Sequence, residues 1–419
     1  MRCAVIVGGI PNPTTGGGAL TAWSVIKSLT SAGHSVTACL IENLHSSPSS
    51  KQRQALLDPL TQLGVKVVSI EHRDTAPAAG TFLDKSFRLL RAAPEDYYPT
   101  VILTPKLRSV LHPESPQAIF VYHFEALAAA HTLNTAPILA GVGDPTHLPA
   151  YYSWKQTPAR LTKEYAVRTV TTAIAMARLP VHMQRMMSSC EVSGAFAAHH
   201  AAWFRKIGVP NCQYFRTPVV DDAGPCWKER RLGYRRKPKF KILLVGHLKG
   251  TATLSGLRLF AGEVLPRLER QLGTDAFEIH IVGGYSLPDS LAKLFDRPCV
   301  KMRGQIEPAT EEFLSSDVVV VPTPIKLGIR VRILTAFSFG CCVVAHQANA
   351  LGIPEMVHRK NALLAKDGKS MTEEILTALA DPDLIEKVGE EARKTYKECF
   401  SLATAGRRIV AEMERLARA

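Results

Sequence analysis

"PIKLGIRVRILTAFSFGCCVVA", Pro324 to Ala345, decides how this chain is read. A loop containing Gly328 and two arginines, Arg330 and Arg332, runs into an apolar stretch of helical period, then Gly340 and the β-branched run that ends at Ala345. Loop, helix, glycine stop and buried strand in that order make one α/β unit. The start of such a helix offers unpaired N–H groups and about half a positive charge. Arginines beside it add charge-assisted bonds, so the layout suits an anion. A structural turn with two surface arginines is the plainer alternative.

Outward from this stretch the same scheme recurs. Strands are expected at "EIHIVGG" (278–284), "CVKMRG" (299–304), "DVVVVPT" (317–323) and "CVVAH" (342–346), with helical material between them. The second half opens with "FKILLVGHLKG" after a proline-rich, basic stretch. The first half opens with "RCAVIVGG", a glycine-rich loop, the helical "ALTAWSVIKSLTSAGH" and "SVTACLI". It continues through "VKVVSI" (65–70), "AIFVYHF" (118–124), "PILAGVG" (137–143) and "CEVSG" (190–194). Strands alternating with helices imply parallel sheets covered on both faces, and two doubly wound domains joined by a linker leave a cleft at the carboxyl ends of their strands.

At 419 residues the chain is long for a single core, which agrees with two domains. The net charge of +14 favours negatively charged partners. No zinc-finger spacing, helix-turn-helix pattern or aromatic RNA-binding motif accompanies it, so no nucleic acid is expected. The basic run Cys226 to Lys241 reads as a solvated linker. Nine scattered cysteines read as small core residues of a reduced cytoplasmic protein, and no metal site is expected. The first apolar run is too short for a signal peptide, and no uncharged apolar stretch reaches about 18 residues. In "FLDKSFRLLRAA" (82–93), apolar residues share a helical face beside cations. That pattern raises peripheral contact with an anionic membrane at its inner face, against the plainer reading of a helix packed on its own domain.

The ordered series "ILLVGHLKGTATLSGLRLFAGEVLPRL", "IHIVGG", "VKMRGQIEPATEEFLSSDVVVVPTPIKLGIRVRILTAFSFGCCVVA" and "ALGIPEMVHRKNALLA" resembles the retaining glycosyltransferases of family 4. The "TTGGGALTAWSVIKSLTSAGHSV" region and the "VGDP" turn resemble it in the first half. The resemblance implies an α/β GT-B fold, two Rossmann-like doubly wound domains facing across a cleft. The acceptor domain would be 1–216, the basic linker 217–240 and the nucleotide-sugar donor domain 241–400, with helix 401–419 packing back on the first domain.

It further implies that the anion is a donor diphosphate. Gly328 matches a donor-loop glycine, placing the N–H groups of Ile329, Arg330 and Val331 at the helix start. Arg330, Arg332 and Lys249 would be the cations that stabilise the departing diphosphate, with Gly246 and His247 in the same loop as Lys249. Gly283 and Gly284 would let the nucleotide approach, although such glycines also suit a turn. Gly304 and Gln305, within "RGQIE", match the region where backbone meets the nucleobase. On the acceptor side Gly16, Gly17 and Gly18 match a loop near the phosphates, and three glycines also suit any tight turn. His123 and Glu125 end a strand expectation at the cleft edge, and Asp144 ends the next. A helix-capping Asp144 and a hydrogen-bonded core His123 are the structural alternatives.

Two departures from the family pattern stand out. Many members carry two glutamates where this chain has Leu327 and Thr335, and Thr335 offers one hydroxyl where a carboxylate would accept two bonds. In "VGHLKG", where members commonly place an arginine and a lysine after the strand, His247 follows Gly246 and Lys249 comes two later, and His247 would supply charge only if protonated. The expected activity is transfer of a sugar from a nucleotide diphosphate donor to a glycan or lipid-linked hydroxyl acceptor with retention, in surface polysaccharide or glycoconjugate biosynthesis. The donor is a substrate, and neither cofactor nor metal is expected. The alternative is a catalytically degenerate GT-B protein acting as a binding or partner subunit.

Overall fold

The β-branched runs pair into two all-parallel sheets, the arrangement that buries such strands on both faces. The computed structural model describes residues 1–14, 16–43, 49–72, 100–157, 159, 162–234 and 239–418. Contacts divide the chain into Met1–Arg216 with Ala405–Ala419, and Thr217–Thr404.

In the first unit the strands are β1 (Arg2–Gly8), β2 (Ser35–Asn43), β3 (Lys66–His72), β4 (Ala118–Tyr122), β5 (Ile138–Val142), β6 (Val192–Ala195) and β7 (Gln213–Tyr214). Their order is β3-β2-β1-β4-β5-β6-β7. Cys3 pairs with Val36 on one side and Ala118 on the other, so β1 is central. β4 and β5 are buried along their whole lengths, as their uninterrupted apolar runs require. The order reverses between β1 and β4, which makes a crevice at the carboxyl ends of these two strands. The last helix, Arg407–Arg418, joins this unit, and His34 Nε2 lies 3.0 Å from Glu414 Oε1.

The second unit has β8 (Phe240–Val245), β9 (Phe277–Val282), β10 (Val300–Gly304), β11 (Val318–Val321), β12 (Cys342–His346) and β13 (Leu363–Ala365), in the order β10-β9-β8-β11-β12-β13. Here the reversal lies between β8 and β11. The helix Val331–Ser338 connects β11 to β12 and buries Ile333, Leu334, Ala336 and Phe337. It stops because Gly340 takes φ 64°, a left-handed conformation that favours glycine. The Trp227 ring also lies where a side chain at 340 would go.

Trp227 belongs to the stretch expected as a solvated linker, but most of residues 217–240 are folded onto the second unit. Val219 bridges Ser401, and the Tyr396 hydroxyl donates to the Val219 carbonyl at 2.9 Å. Arg231 donates to the carbonyls of Phe313 and Ser316, each at 3.0 Å. Arg393 forks onto Asp221 at 2.7 and 2.6 Å. Arg231 satisfies two backbone carbonyls while Lys228 pairs with Glu386 and Glu390, roles that charge counting cannot foresee.

A second correction concerns the strand expected at 118–124. It ends at Tyr122, His123 takes φ 71°, and the helix Phe124–Ala130 begins, carrying Glu125 in its first turn. The run of leucine and alanines after Glu125 is strongly helix-forming and sets that boundary. The amphipathic stretch 82–93 lies outside the described residues. No helix among the described residues is long and apolar enough to cross a membrane.

Candidate functional site

In the second unit the expected site residues gather at the carboxyl ends of β8, β9, β10 and β11. Gly328 takes φ 50°, turning the chain so that Arg330 becomes the N-cap of the helix that starts at Val331. Ile329 therefore precedes the helix, and the Ile333 N–H already bonds to the Arg330 carbonyl at 2.8 Å. Val331 and Arg332 are the first two residues of the helix, whose leading N–H groups have no partner one turn earlier.

Arg332 reaches across the reversal point of the sheet. Its Nη1 donates to the Val245 carbonyl at the end of β8 (2.7 Å) and to Thr253 Oγ1 (3.1 Å). Nη2 donates to Thr323 Oγ1, two residues beyond β11, at 2.9 Å. Thr323 is fully buried, and its hydroxyl donates a hydrogen bond to the Ala252 carbonyl at 3.1 Å. All three acceptors are neutral, and among the described residues Arg332 makes no salt bridge. Its Nε is buried without a hydrogen-bond partner. Burial, with Arg330 nearby, pulls the guanidinium pKa down to about 9. A buried cation beside a second cation, with no carboxylate to offset it, is an arrangement that an anion would stabilise.

Two glycines allow this approach. A side chain at Gly246 would collide with Arg332 Nη1, and one at Gly283 would collide with the Gly246 carbonyl. Beyond Gly246, the His247 ring lies 4.8 Å from the Tyr285 ring, and Lys249 Nζ sits 4.3 Å from the Tyr285 ring centre. Tyr285 was not singled out from sequence; its only signal was an aromatic residue directly after the glycine pair. Gly304 ends β10 with φ 68°, and Gln305 lies against Gly284 while donating to Glu307. Thr335 is turned to its own helix, its hydroxyl donating to the Val331 carbonyl at 3.3 Å, and Leu327 is buried. Neither occupies the role of a carboxylate.

In the first unit the structure brings Gly18 and His123 together at the reversal between β1 and β4, and Asp144 follows Gly143, which packs on the His123 ring. A side chain at Gly18 would lie 3.3 Å from His123 Nε2, and one at Gly143 would overlap the His123 ring. Gly16, with φ 140°, is the N-cap of the helix Gly17–Ser31, so the glycine loop delivers a helix start to this point. Burial pushes the His123 pKa down to about 4, leaving a neutral imidazole at ordinary pH. Asp144 Oδ1 stands 3.7 Å from Nδ1 of the buried His200, and the His199 and His200 rings are 4.0 Å apart. His147 packs on Trp203, and burial lowers its pKa to about 4 as well. These three histidines were missed in the sequence, because isolated histidines there carry no spacing signal.

Residues 239–381 match the sequence model of the family described as glycosyl transferases group 1. No curated protein sequence matches the chain. Among solved structures, HepE of Anabaena in complex with UDP and glucose is 15% identical with a TM-score of 0.68, over 99% of each chain. Sucrose-phosphate synthase from Thermosynechococcus elongatus is 12% identical with a TM-score of 0.70, again over 99% of each. A glycosyltransferase from Rickettsia africae is 12% identical with a TM-score of 0.66, over 99% of this chain and 98% of that one. With the two doubly wound sheets, these likenesses establish a two-domain Rossmann-like GT-B fold.

Proposed function

We propose that the protein moves a sugar from a nucleotide diphosphate donor to a hydroxyl acceptor, with retention of configuration and without a metal ion. The observation that carries this reading is Arg332: a buried cation without a carboxylate partner among the described residues, at the reversal of the second sheet and the start of a helix. It lies inside the segment similar to group 1 glycosyl transferases. HepE, of similar fold, has been captured with UDP and with UDP-glucose, which supports a nucleotide-sugar ligand here.

Chemically the protein would act by placement and charge. The leading N–H groups of the helix, with Arg330, Arg332 and Lys249, would take the developing charge of the leaving diphosphate. These cations supply the neutralisation, so the reading needs no metal. In the first unit, Gly16, Gly17, Gly18, His123 and Asp144 would receive the acceptor, a glycan or lipid-linked hydroxyl. Surface polysaccharide or glycoconjugate assembly is the proposed setting.

A second reading is a GT-B protein that binds a nucleotide sugar without turnover. Buried Leu327 and the self-bonded hydroxyl of Thr335 favour it, since neither can grip a ribose as a carboxylate would. Incubation with a panel of nucleotide sugars and glycan acceptors separates the two readings. Release of nucleoside diphosphate with a product of the donor's anomeric configuration supports transfer. Binding with no release across the panel supports the second reading.

A further inference from the structure

Tyr285 is a large aromatic side chain, 59% exposed, on backbone at φ 76°. A tyrosine in the left-handed region is strained relative to ordinary backbone, and such strain at a loop tip calls for a reason. Burial does not supply it, because more than half of the side chain stays exposed and its ring contacts are with His247 and Lys249. What the conformation does achieve is placement. The ring, carried by the loop after β9, meets Lys249 and His247 from the β8 side, and the residue before it, Gly284, lies against Gln305 from the β10 side.

We propose that Tyr285 is the stacking platform for the base of the nucleotide, occupied by the Lys249 ammonium until a nucleotide arrives. This rests on the donor-site reading above and adds the residue that grips the base. The two steps are coupled by charge. Lys249 Nζ lies 4.3 Å from the ring centre, held by the negative face of the aromatic system. A diphosphate at Arg332 offers that ammonium a stronger partner and draws it off the ring. The uncovered face is then free for a planar base, and a ring accepts any base because every base has a π-face. Gln305, beside Gly284 and just after β10, offers a side-chain amide to read the edge of a base stacked there.

The test is calorimetric titration of the full chain with UDP, GDP, ADP and inorganic pyrophosphate, in the wild type, Tyr285→Gly and Tyr285→Phe. Glycine removes the ring while suiting φ 76°, so the backbone is not strained by the change. Tyr285→Gly should weaken the preferred nucleoside diphosphate about tenfold or more, leave pyrophosphate within about twofold, and Tyr285→Phe should bind like wild type. Equal weakening of pyrophosphate would mean that the ring acts only through Lys249, and unchanged nucleotide affinity would mean that it does not meet the base; either overturns the proposal. A wild-type protein that binds none of the nucleoside diphosphates overturns the donor-site reading itself, which the variants alone would not do.

Discussion

Arg332 Nη1 lies 2.7 Å from the carbonyl oxygen of Val245, so a cation carried by one helix closes the end of a strand on the other side of the sheet's reversal point. The same guanidinium reaches Thr253 in the helix Thr251–Leu259 and Thr323 just beyond β11, joining a strand end, a helix and a loop through neutral acceptors. Among the described residues no carboxylate pairs with it, and its hydrogen bonds fix where that charge sits.

Replacing Arg332 should therefore cost both activity and stability. Arg332→Ala is expected to lower kcat/KM for sugar transfer at least about tenfold, near 1.4 kcal/mol. It should also lower unfolding stability by about 1–3 kcal/mol, since the Val245 carbonyl and two threonine hydroxyls lose their donor. Arg332→Lys keeps the charge but not the fork, and should recover stability less than activity if charge dominates. Steady-state kinetics and urea unfolding of both variants check this.

Gly246→Ala places a methyl group against Arg332 Nη1. The added carbon cannot be accommodated unless the guanidinium leaves its acceptors. Turnover should fall about 10- to 100-fold, the cost of misplacing a positioned group by about 1 Å. Circular dichroism should show the fold retained, and a variant with wild-type kinetics would count against the arrangement at Arg332.

Two histidines in the first unit give stability a definite pH dependence. Burial brings His123 and His147 down to about 4, below the unfolded value of about 6.5. Folding therefore favours the neutral rings. Their contribution is complete above about pH 6.5 and is lost as pH falls toward 4, because the unfolded chain binds the protons first. Urea midpoints should drop between pH 7 and 4.5, as these limits require. The drop should be smaller in His123→Gln and His147→Gln. A pH-rate profile should show no inflection near 6.5 from His123.

The second unit is sensitive at lower pH. Burial alone would raise the Glu312 pKa, but hydrogen bonds from His280 and Lys241 overcome it and hold the carboxyl to about 2. Lys241 Nζ and His280 Nδ1 each lie 2.8 Å from Oε2, and Arg303 Nε lies 3.0 Å from Oε1. A depressed carboxylate contributes stability above its unfolded value near 4.5, and loses it as pH falls toward 2. Glu312→Gln should destabilise by about 3 kcal/mol at neutral pH, because Lys241 is left buried without its partner. It should also flatten the acid limb of the stability curve.

The fold was readable because parallel strands buried on both faces are short β-branched runs, and each expected strand formed within a few residues of its sequence limits. β7 and β13 escaped notice: at two and three residues they carry too little pattern to separate from loops. Gly328 and the helix after it were legible from glycine and periodicity. What Arg332 bonds to was not, since Val245, Thr253 and Thr323 are far from it or unremarkable in sequence. Tyr285 and the histidines around Asp144 depend on loops meeting across strand ends, which a linear pattern does not encode.

The central claim is that the second unit holds a nucleoside diphosphate at Arg332. Thermal unfolding with UDP, GDP, dTDP, ADP and CDP, each paired with its monophosphate, tests it most directly. One diphosphate at about a hundred times its dissociation constant should add roughly 2.7 kcal/mol of stability, with its monophosphate adding far less. If no diphosphate stabilises the protein beyond its monophosphate, the unbalanced charge at Arg332 is not a donor site and the account fails at its centre.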